Sequence, residues 1–371
     1  MQVPFDENST IAQTSTMTLA MSTIAATTLR NDLDTPDDGV GTFDVYDILS
    51  ILIGTVGLVT NGLVCIVVSV FLRSKRSRVN FLIFNQAVAD LTISALLIGL
   101  TTSYYYLEDA LADMRGLAGE FLCRVVHSRF LLFASFAIST HNLTAMSIER
   151  LVAVTYPVSY PRVYTPRNTI IIVICVWVVA PVAQYIQVIA RFHVDDVTGE
   201  CTDQPSWTSL KAGATGVFIF TWEYFLPCII MVVSYVAIWR KLSKQAHVVG
   251  PTPSGPGSLN TTNKPSTKRR NNRARNVTIT LFALFVVYLL CWTPNQFTFL
   301  AFNLGMPLDF DGAWYYFTVF AAFCNSCTNP LILTLKHQQF REGLKEILRC
   351  RCNRVLSTDD TGASVSRTVD Q

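Results

Sequence analysis

Seven long apolar runs limit how this sequence can fold more than any other feature. Four of them contain no Asp, Glu, Lys or Arg: Ile48–Leu72, Asn168–Ala190, Asn276–Leu308 and Gly312–Leu335. Three more, around Asp90, before Arg150 and around Glu223, contain only a few charged residues. About 20 apolar residues of helix cross a bilayer core, and backbone groups in lipid must be paired within their own segment. The pattern therefore predicts seven membrane-spanning helices.

The composition excludes an ordinary soluble protein. Only 15% of the 371 residues are charged, against about 25% in soluble domains, and this is too little to cover the surface of two or three soluble domains. The net charge of +3 does not indicate a nucleic-acid partner. The two halves show no correspondence of the kind that inverted repeats give a transporter or channel. Asp90 and Glu223 are predicted at different depths, so they do not form the paired catalytic groups of an intramembrane enzyme.

The predicted fold is an all-α membrane protein, a seven-helix bundle in contact with membrane lipids. The predicted spans are approximately residues 48–72, 79–104, 121–153, 168–190, 212–240, 275–302 and 313–335, within a bundle over 47–335. Residues 1–46 form an N-terminal tail, 336–350 a short amphipathic eighth helix and 351–371 a C-terminal tail.

The connections between the spans give the orientation. With the N-terminus outside, the outer segments carry four basic residues, whereas the inner loops and tail carry 22. Basic residues concentrate on the cytoplasmic side of membrane proteins, so we expect a plasma-membrane protein with an extracellular N-terminus and a cytoplasmic C-terminus. The outer segments hold 18 acidic residues. This acidic face either attracts a cationic ligand or is a solvated rim.

This topology identifies three candidate modification sites. Asn8 begins an Asn-Ser-Thr glycosylation acceptor on the outer side. Cys123 and Cys201 both lie outside, where an oxidising environment favours a disulfide between them. Cys350 and Cys352 follow the amphipathic stretch and are either acylated or unmodified thiols.

An ionisable residue inside a span is costly and needs a polar environment. Asp90 has candidate partners in other spans, namely Asn61, Ser139, Asn325, Ser326 and Asn329. These oxygens suit a small hard cation such as sodium; the alternative is a hydrogen-bonded network around a protonated Asp90. Glu149 and Arg150 end the third span, where position alone favours an Arg that extends to the interface.

Prolines mark places where a helix can bend, and five lie in or beside the predicted spans: Pro157, Pro181, Pro227, Pro294 and Pro330. Pro294 lies in Cys291-Trp292-Thr293-Pro294, and Pro330 follows Asn329. Each frees a backbone carbonyl and kinks its helix, so both are candidates for a conformational switch.

These motifs and their order resemble those of rhodopsin-like (class A) G-protein-coupled receptors, from about residue 46 to 350. The matching positions are Gly57 with Asn61, Ala89-Asp90, Ser147-Ile148-Glu149-Arg150, Trp177, Pro227 with Tyr235, Cys-Trp-x-Pro at 291–294, Asn329-Pro330 and Phe340-Arg341.

The resemblance implies a receptor, not an enzyme, that binds an extracellular ligand and activates heterotrimeric G proteins when helix six moves outward. Asp90, Ser139, Asn325, Ser326 and Asn329 resemble the family's sodium pocket, so sodium is the only cofactor implied, as an allosteric modulator. Trp292, Pro294, Pro330 and Tyr235 resemble its switch residues. Glu149 and Arg150 resemble the pair that couples to the G protein, and Cys123 with Cys201 resembles the family disulfide. Tail phosphorylation would recruit arrestin.

The sequence departs from the family pattern at four positions. Leu151 follows Arg150 where Tyr is usual, Leu333 replaces the tyrosine of the seventh-helix motif, and Tyr288 stands where Phe is usual. Cys123 precedes Arg150 by 27 positions, two more than in the family, which requires an altered start of the third helix.

Comparison with the family also argues against two classes of ligand. The seventh span has no Lys for retinal, and Leu132 occupies the position of the Asp that amine receptors carry. A peptide ligand is favoured; the alternative is a non-peptide small molecule or an atypical amine bound by Glu223. Glu223 could instead pair with Arg129 inside the bundle. The candidate ligand-binding residues are Arg129, Leu132, Glu223, Asn295, Gln296 and Tyr316.

Overall fold

The computed structural model describes residues 45–72, 78–106, 116–195, 197–203, 209–248, 265–310, 312–336 and 340–346. Asn8, Cys350, Cys352 and the predicted C-terminal tail lie outside the described residues. Within them, seven helices are long and apolar enough to cross a membrane, as the apolar runs predict.

The seven long helices are numbered α1 to α7 in chain order. They are α1 (Val45–Val67, continued by the π-helical Val68–Leu72), α2 (Arg78–Tyr106), α3 (Phe130–Thr155), α4 (Pro166–Val179 and Val182–Arg191), α5 (Ser209–Phe220, the π-helical Thr221–Phe225 and Leu226–Val248), α6 (Pro265–Asn303) and α7 (Ala313–Lys336). Short helices occupy Gly116–Phe121 and Tyr160–Val163. Residues 340–346 form the short eighth helix, α8, with Phe340 buried.

The bundle packs its polar side chains inward and many of its apolar ones outward. α3 is the central helix and contacts α2, α4, α5 and α6, while α7 contacts α1, α2 and α6. Gly57 shows how close α1 approaches its neighbours, since a Cβ there would overlap Ser94 Oγ and lie 3.3 Å from Cys327 Sγ. Exposed Ile, Leu and Val residues cover the outside of the helices, as expected for surfaces in contact with lipid.

The start of α3 differs from the single continuous run predicted over 121–153. A helical turn at Gly116–Phe121 leads into the π-helical Leu122–His127, and α3 begins only at Phe130. Arg129 separates the two pieces with a left-handed backbone (φ 54°). The π-helical turns and this break take up the two additional residues between Cys123 and Arg150, and they are the altered helix start that the spacing requires.

A β-hairpin lies over this end of the bundle. Strand β1 (Phe192–Val194) follows α4 and pairs antiparallel with β2 (Cys201–Asp203). Cys201 forms a disulfide with Cys123, which confirms the predicted pair and ties the hairpin to the segment before α3. The end of the bundle that carries this bond is called the disulfide end.

Candidate functional site

Asp90 is the centre of a buried network between α2, α3 and α7. Its side chain is 0% exposed and accepts hydrogen bonds from Ser139 Oγ at 2.8 Å and Asn329 Nδ2 at 2.7 Å. Gln86 Nε2, one turn earlier on α2, lies 3.2 Å from both carboxylate oxygens. The structure thus brings together Asp90, Ser139 and Asn329 as predicted and adds Gln86.

Asn325 and Ser326, the other two predicted pocket residues, make different contacts. Ser326 Oγ donates to the carbonyl of Phe323, and the Ser326 carbonyl accepts from Asn61 Nδ2 at 2.9 Å. Asn325 is buried, with Oδ1 lacking a hydrogen-bond partner. The hydrogen bond between Asn61 and Ser326 thus joins α1 to α7 next to the Asp90 network.

A line of amides extends from Gln86 to α4. Gln86 Oε1 accepts from Asn142 Nδ2 at 2.8 Å, and Asn142 Oδ1 accepts from Asn85 Nδ2 at 2.9 Å. Asn85 Oδ1 in turn accepts from the indole Nε1 of Trp177 at 2.8 Å. Sequence reasoning missed Gln86, Asn85 and Asn142, although the four-residue spacing of Gln86 and Asp90 places both on one face of α2.

A second site, the outer cavity, opens between α3, α4, α5 and α6 towards the disulfide end. Its aromatic walls are Phe133, Phe136, Trp292 and Phe299, and its polar lining consists of Gln184, Gln187, Glu223, Asn295 and Gln296. Its free volume is about 60 Å³, whereas cavities for drug-sized ligands usually measure about 300–1,000 Å³. It therefore has room for no more than the end of one side chain.

Glu223 is the acidic group of the outer cavity and lies in the π-helical turn of α5. Gln184 Nε2 donates to its two carboxylate oxygens at 2.9 and 3.0 Å. Its predicted alternative partner was Arg129, but among the described contacts Gln184 takes that place. Gln296 also lines the cavity, and its buried Oε1 has no hydrogen-bond partner. Both residues therefore contribute to the lining of the same small space.

The six predicted ligand residues fall into two groups. Glu223, Asn295 and Gln296 line the outer cavity. Leu132 is packed in the core at 1% exposure, and Arg129 is buried at the break before α3. Tyr316 stacks on Tyr46 of α1 with ring centroids 3.6 Å apart. Gln184 was missed, although its spacing from Gln187 puts both amides on one face of α4.

Trp292 connects the outer cavity to the interior of the bundle. It lines the cavity, and its ring lies edge to face with Phe136, with centroids 5.0 Å apart. Phe136 in turn stacks on Phe323 of α7 at 6.0 Å. Pro294 is inside α6 and Pro330 inside α7, so the contact chain connects the two helices that contain the predicted switch prolines.

Glu149 and Arg150 form a buried ion pair at the end of α3 opposite the disulfide. Tyr160, in the connection to α4, donates its hydroxyl hydrogen to Glu149 Oε1. Burial and the charge of Glu149 raise the pKa of Tyr160 above its ordinary value. Arg150 therefore pairs inside the bundle instead of extending to the interface.

Tyr235 and Leu333 show how the altered seventh-helix motif packs. Tyr235 of α5 is buried against α6, where its ring stacks on Phe285 with centroids 5.6 Å apart. Leu333 is 3% exposed and belongs to the same apolar core. An apolar side chain therefore fills the position at which the family carries a tyrosine hydroxyl.

The bundle, the outer cavity and the buried Glu149–Arg150 pair define a seven-helix receptor. Residues 60–333 match the family model described as "7 transmembrane receptor (rhodopsin family)", and the chain belongs to that family. It is therefore a multi-pass membrane receptor of the rhodopsin-like G-protein-coupled class. The predicted class is confirmed, as is the prediction that the chain is not an enzyme, since the family consists of receptors.

Its curated relatives include receptors named for peptides. The chain is 28% identical to the galanin receptor type 2 of Rattus norvegicus over 307 residues, 81% of this chain and 73% of that receptor. It is 28% identical to the allatostatin-A receptor of Bombyx mori over 310 residues, 80% and 78% of the two chains. It is 28% identical to the galanin receptor type 3 of Mus musculus over 309 residues, 81% and 76%.

Proposed function

We propose that this receptor lies in the plasma membrane with its N-terminus outside, binds an extracellular peptide and activates heterotrimeric G proteins. The observation that carries the ligand class is the outer cavity, which is lined by acceptor groups and is too small for a drug-sized ligand. A peptide can insert the end of one side chain there while the rest of it contacts the loops. The relatives named for galanin and allatostatin-A support the same class.

The chemistry of the cavity favours a basic side chain or an N–H group of the peptide. Glu223 is held by Gln184 alone among the described side chains, and a carboxylate can accept about four hydrogen bonds. Gln296 Oε1 is a second acceptor without a partner. A buried carboxylate gains most from a cationic partner, and the 18 acidic residues of the outer segments would attract such a ligand.

The contact chain from the cavity supports a route for activation. A side chain that enters beside Glu223 also contacts Trp292, which packs on Phe136. Movement of Trp292 would shift α6 at Pro294, where the helix lacks one backbone hydrogen bond. We infer that this opens the bundle beside Arg150, frees it from Glu149 and admits the G protein. Ligand would thereby stabilise one of two arrangements of the bundle.

Other partners follow from segments outside the described residues. Ser357, Thr358, Thr361, Ser364, Ser366 and Thr368 supply phosphorylation sites in the tail, and phosphates there would recruit arrestin. Acylation of Cys350 or Cys352 would attach the segment after α8 to membrane lipids, and Asn8 would carry the glycan.

A peptide library tests the function directly. The receptor would be expressed with chimeric G proteins, its surface level measured, and nucleotide exchange recorded for each peptide. We expect activation by a peptide that contains a basic residue, and loss of exchange but not of peptide binding in Arg150→Ala. Activation by a small amine alone would instead favour the non-peptide alternative. No response to any peptide at normal surface expression would contradict the proposal.

A further inference from the structure

The Gln86 amide lies where the oxygens around Asp90 converge. Its Nε2 is 2.5 Å from Ser139 Oγ and 3.2 Å from each oxygen of Asp90. Both N–H bonds of the amide are therefore used, one towards the hydroxyl and one shared between the carboxylate oxygens. Gln86 is 2% exposed, so water does not compete for these contacts.

These are the same oxygens that a sodium ion would require. A hard cation binds carboxylate, hydroxyl and carbonyl oxygens, and an N–H group cannot act as a ligand for it. The site predicted around Asp90 thus has suitable oxygens, but an amide hydrogen-bond donor already points at them. As arranged, the residues do not fit a cation, because the amide would have to turn or leave first.

The line of amides determines which way Gln86 points. The indole of Trp177 can only donate, so Asn85 must present its oxygen to Trp177 and its nitrogen to Asn142. Asn142 then presents its nitrogen to Gln86, whose oxygen faces Asn142 and whose nitrogen faces Asp90. Asn142 Nδ2 also donates to the carbonyl of Leu82 at 3.1 Å. Turning Gln86 over would leave two donors facing each other somewhere along this line.

We propose that the Gln86 amide, oriented by hydrogen bonds from Trp177 through Asn85 and Asn142, replaces a sodium ion between Asp90 and Ser139. The receptor then keeps the resting packing of α2, α3 and α7 without a bound cation, and its stability does not depend on sodium. This inference does not depend on the ligand or the G protein of the proposed function.

Thermal melting of the purified full-length receptor tests the proposal. Melting midpoints are measured as NaCl replaces choline chloride at constant ionic strength. Wild type should show no sodium-specific shift. Gln86→Leu removes the donor and should show a rise that saturates with NaCl, since a ligand that binds only the folded state stabilises it. The rise should disappear when Asp90→Asn is added.

A second variant acts at a distance and covers the case in which Gln86→Leu does not fold. Trp177→Phe removes the indole donor, so that only the Leu82 carbonyl still orients Asn142. It should therefore produce a sodium-specific rise that is smaller than that of Gln86→Leu, without a change in the site itself. Trp222→Phe is the matched control, because that indole donates to the carbonyl of Ala180 outside the amide line, and it should behave as wild type. A sodium-specific rise in wild type as large as in Gln86→Leu overturns the proposal, as does the absence of any rise in folded Gln86→Leu or Trp177→Phe.

Discussion

Asp90 and Glu223 are two carboxylates inside the same bundle, and their surroundings differ in a way that separates structure from ligand binding. Asp90 is fully buried and accepts from side chains on α2, α3 and α7. Glu223 is partly buried, borders a cavity and accepts from one side chain on α4. The first carboxylate holds three helices together, whereas the second retains capacity for another donor.

The comparison shows that a charge within a membrane span does not by itself identify a binding site. Asp90 and Glu223 differ in the number of hydrogen-bond donors that already contact the carboxylate and in whether a cavity gives access to it. Satisfied groups stabilise the fold, and groups with remaining capacity are available to a ligand. Variants of the two carboxylates should therefore fail in different ways.

The largest effect is expected for Asp90→Ala. This change leaves donors of Gln86, Ser139 and Asn329 buried without an acceptor, and each such group costs about 1–3 kcal/mol. We expect a fall of at least about 10 °C in the melting midpoint, together with reduced surface expression. Asp90→Asn keeps an acceptor oxygen, so its melting midpoint and surface expression should fall clearly less. Equal losses in the two variants would show that the network does not hold the helices.

A smaller and more selective effect is expected for Glu223→Gln. The amide keeps the shape of the side chain but removes its charge, so the potency of an activating basic peptide should fall about 10- to 100-fold, the loss of about 1.4–3 kcal/mol of a charge-assisted contact. The melting midpoint should stay close to that of wild type.

Glu120→Gln is the matched control for that experiment. Glu120 also lies at the disulfide end, but it pairs with Arg124 at 2.7 Å on the surface and does not line the outer cavity. A comparable loss of potency in Glu120→Gln would mean that general acidity, and not contact with Glu223, attracts the ligand.

The smallest effect is expected for Tyr160→Phe, at the third carboxylate, Glu149. One hydrogen bond to the ion pair is lost, so basal nucleotide exchange should rise about 2- to 10-fold, since such a bond contributes about 0.5–1.5 kcal/mol. Because the pKa of Tyr160 is raised by burial and by Glu149, its hydroxyl remains protonated in the folded receptor up to high pH.

The pH dependence of that effect has a definite sign. A raised pKa in the folded state gives a contribution to stability that is constant below the unfolded value, about 10 for Tyr, and declines above it. The difference in stability between wild type and Tyr160→Phe should therefore be the same at about pH 6 and about pH 9, and so should their difference in basal nucleotide exchange. A difference that changes across this interval would exclude the neutral hydroxyl as the donor to Glu149.

Most of the fold is predictable from the sequence, because lipid imposes one simple requirement on each span. Long apolar runs with few or no charged residues indicate seven helices without any knowledge of their packing. The break at Arg129 and the π-helical turns around Cys123 and Glu223 are less visible. They depend on tertiary contacts such as the disulfide, and only the 27-residue spacing from Cys123 to Arg150 signals the first of them.

The site is predictable as a set of residues but not as a set of contacts. Asp90, Ser139 and Asn329 are identified by polarity within apolar spans, and their contacts are as expected. The partners Gln86 and Gln184 depend on how α2 and α4 are rotated about their axes. A single sequence does not determine that rotation, so it left open whether Glu223 contacts a ligand or pairs with Arg129, and it did not identify Gln184 as the partner.

The contact between Glu223 and the ligand is the central claim, and a double-mutant cycle measures it most directly. Once an activating peptide is known, each of its basic residues is neutralised in turn and tested on wild type and on Glu223→Gln. For one basic residue of the peptide, the loss of potency with both changes should be smaller than the sum of the two separate losses, which gives a coupling energy of at least about 1 kcal/mol. If the losses add for every basic residue, Glu223 does not bind the charge of the ligand, and the account is contradicted.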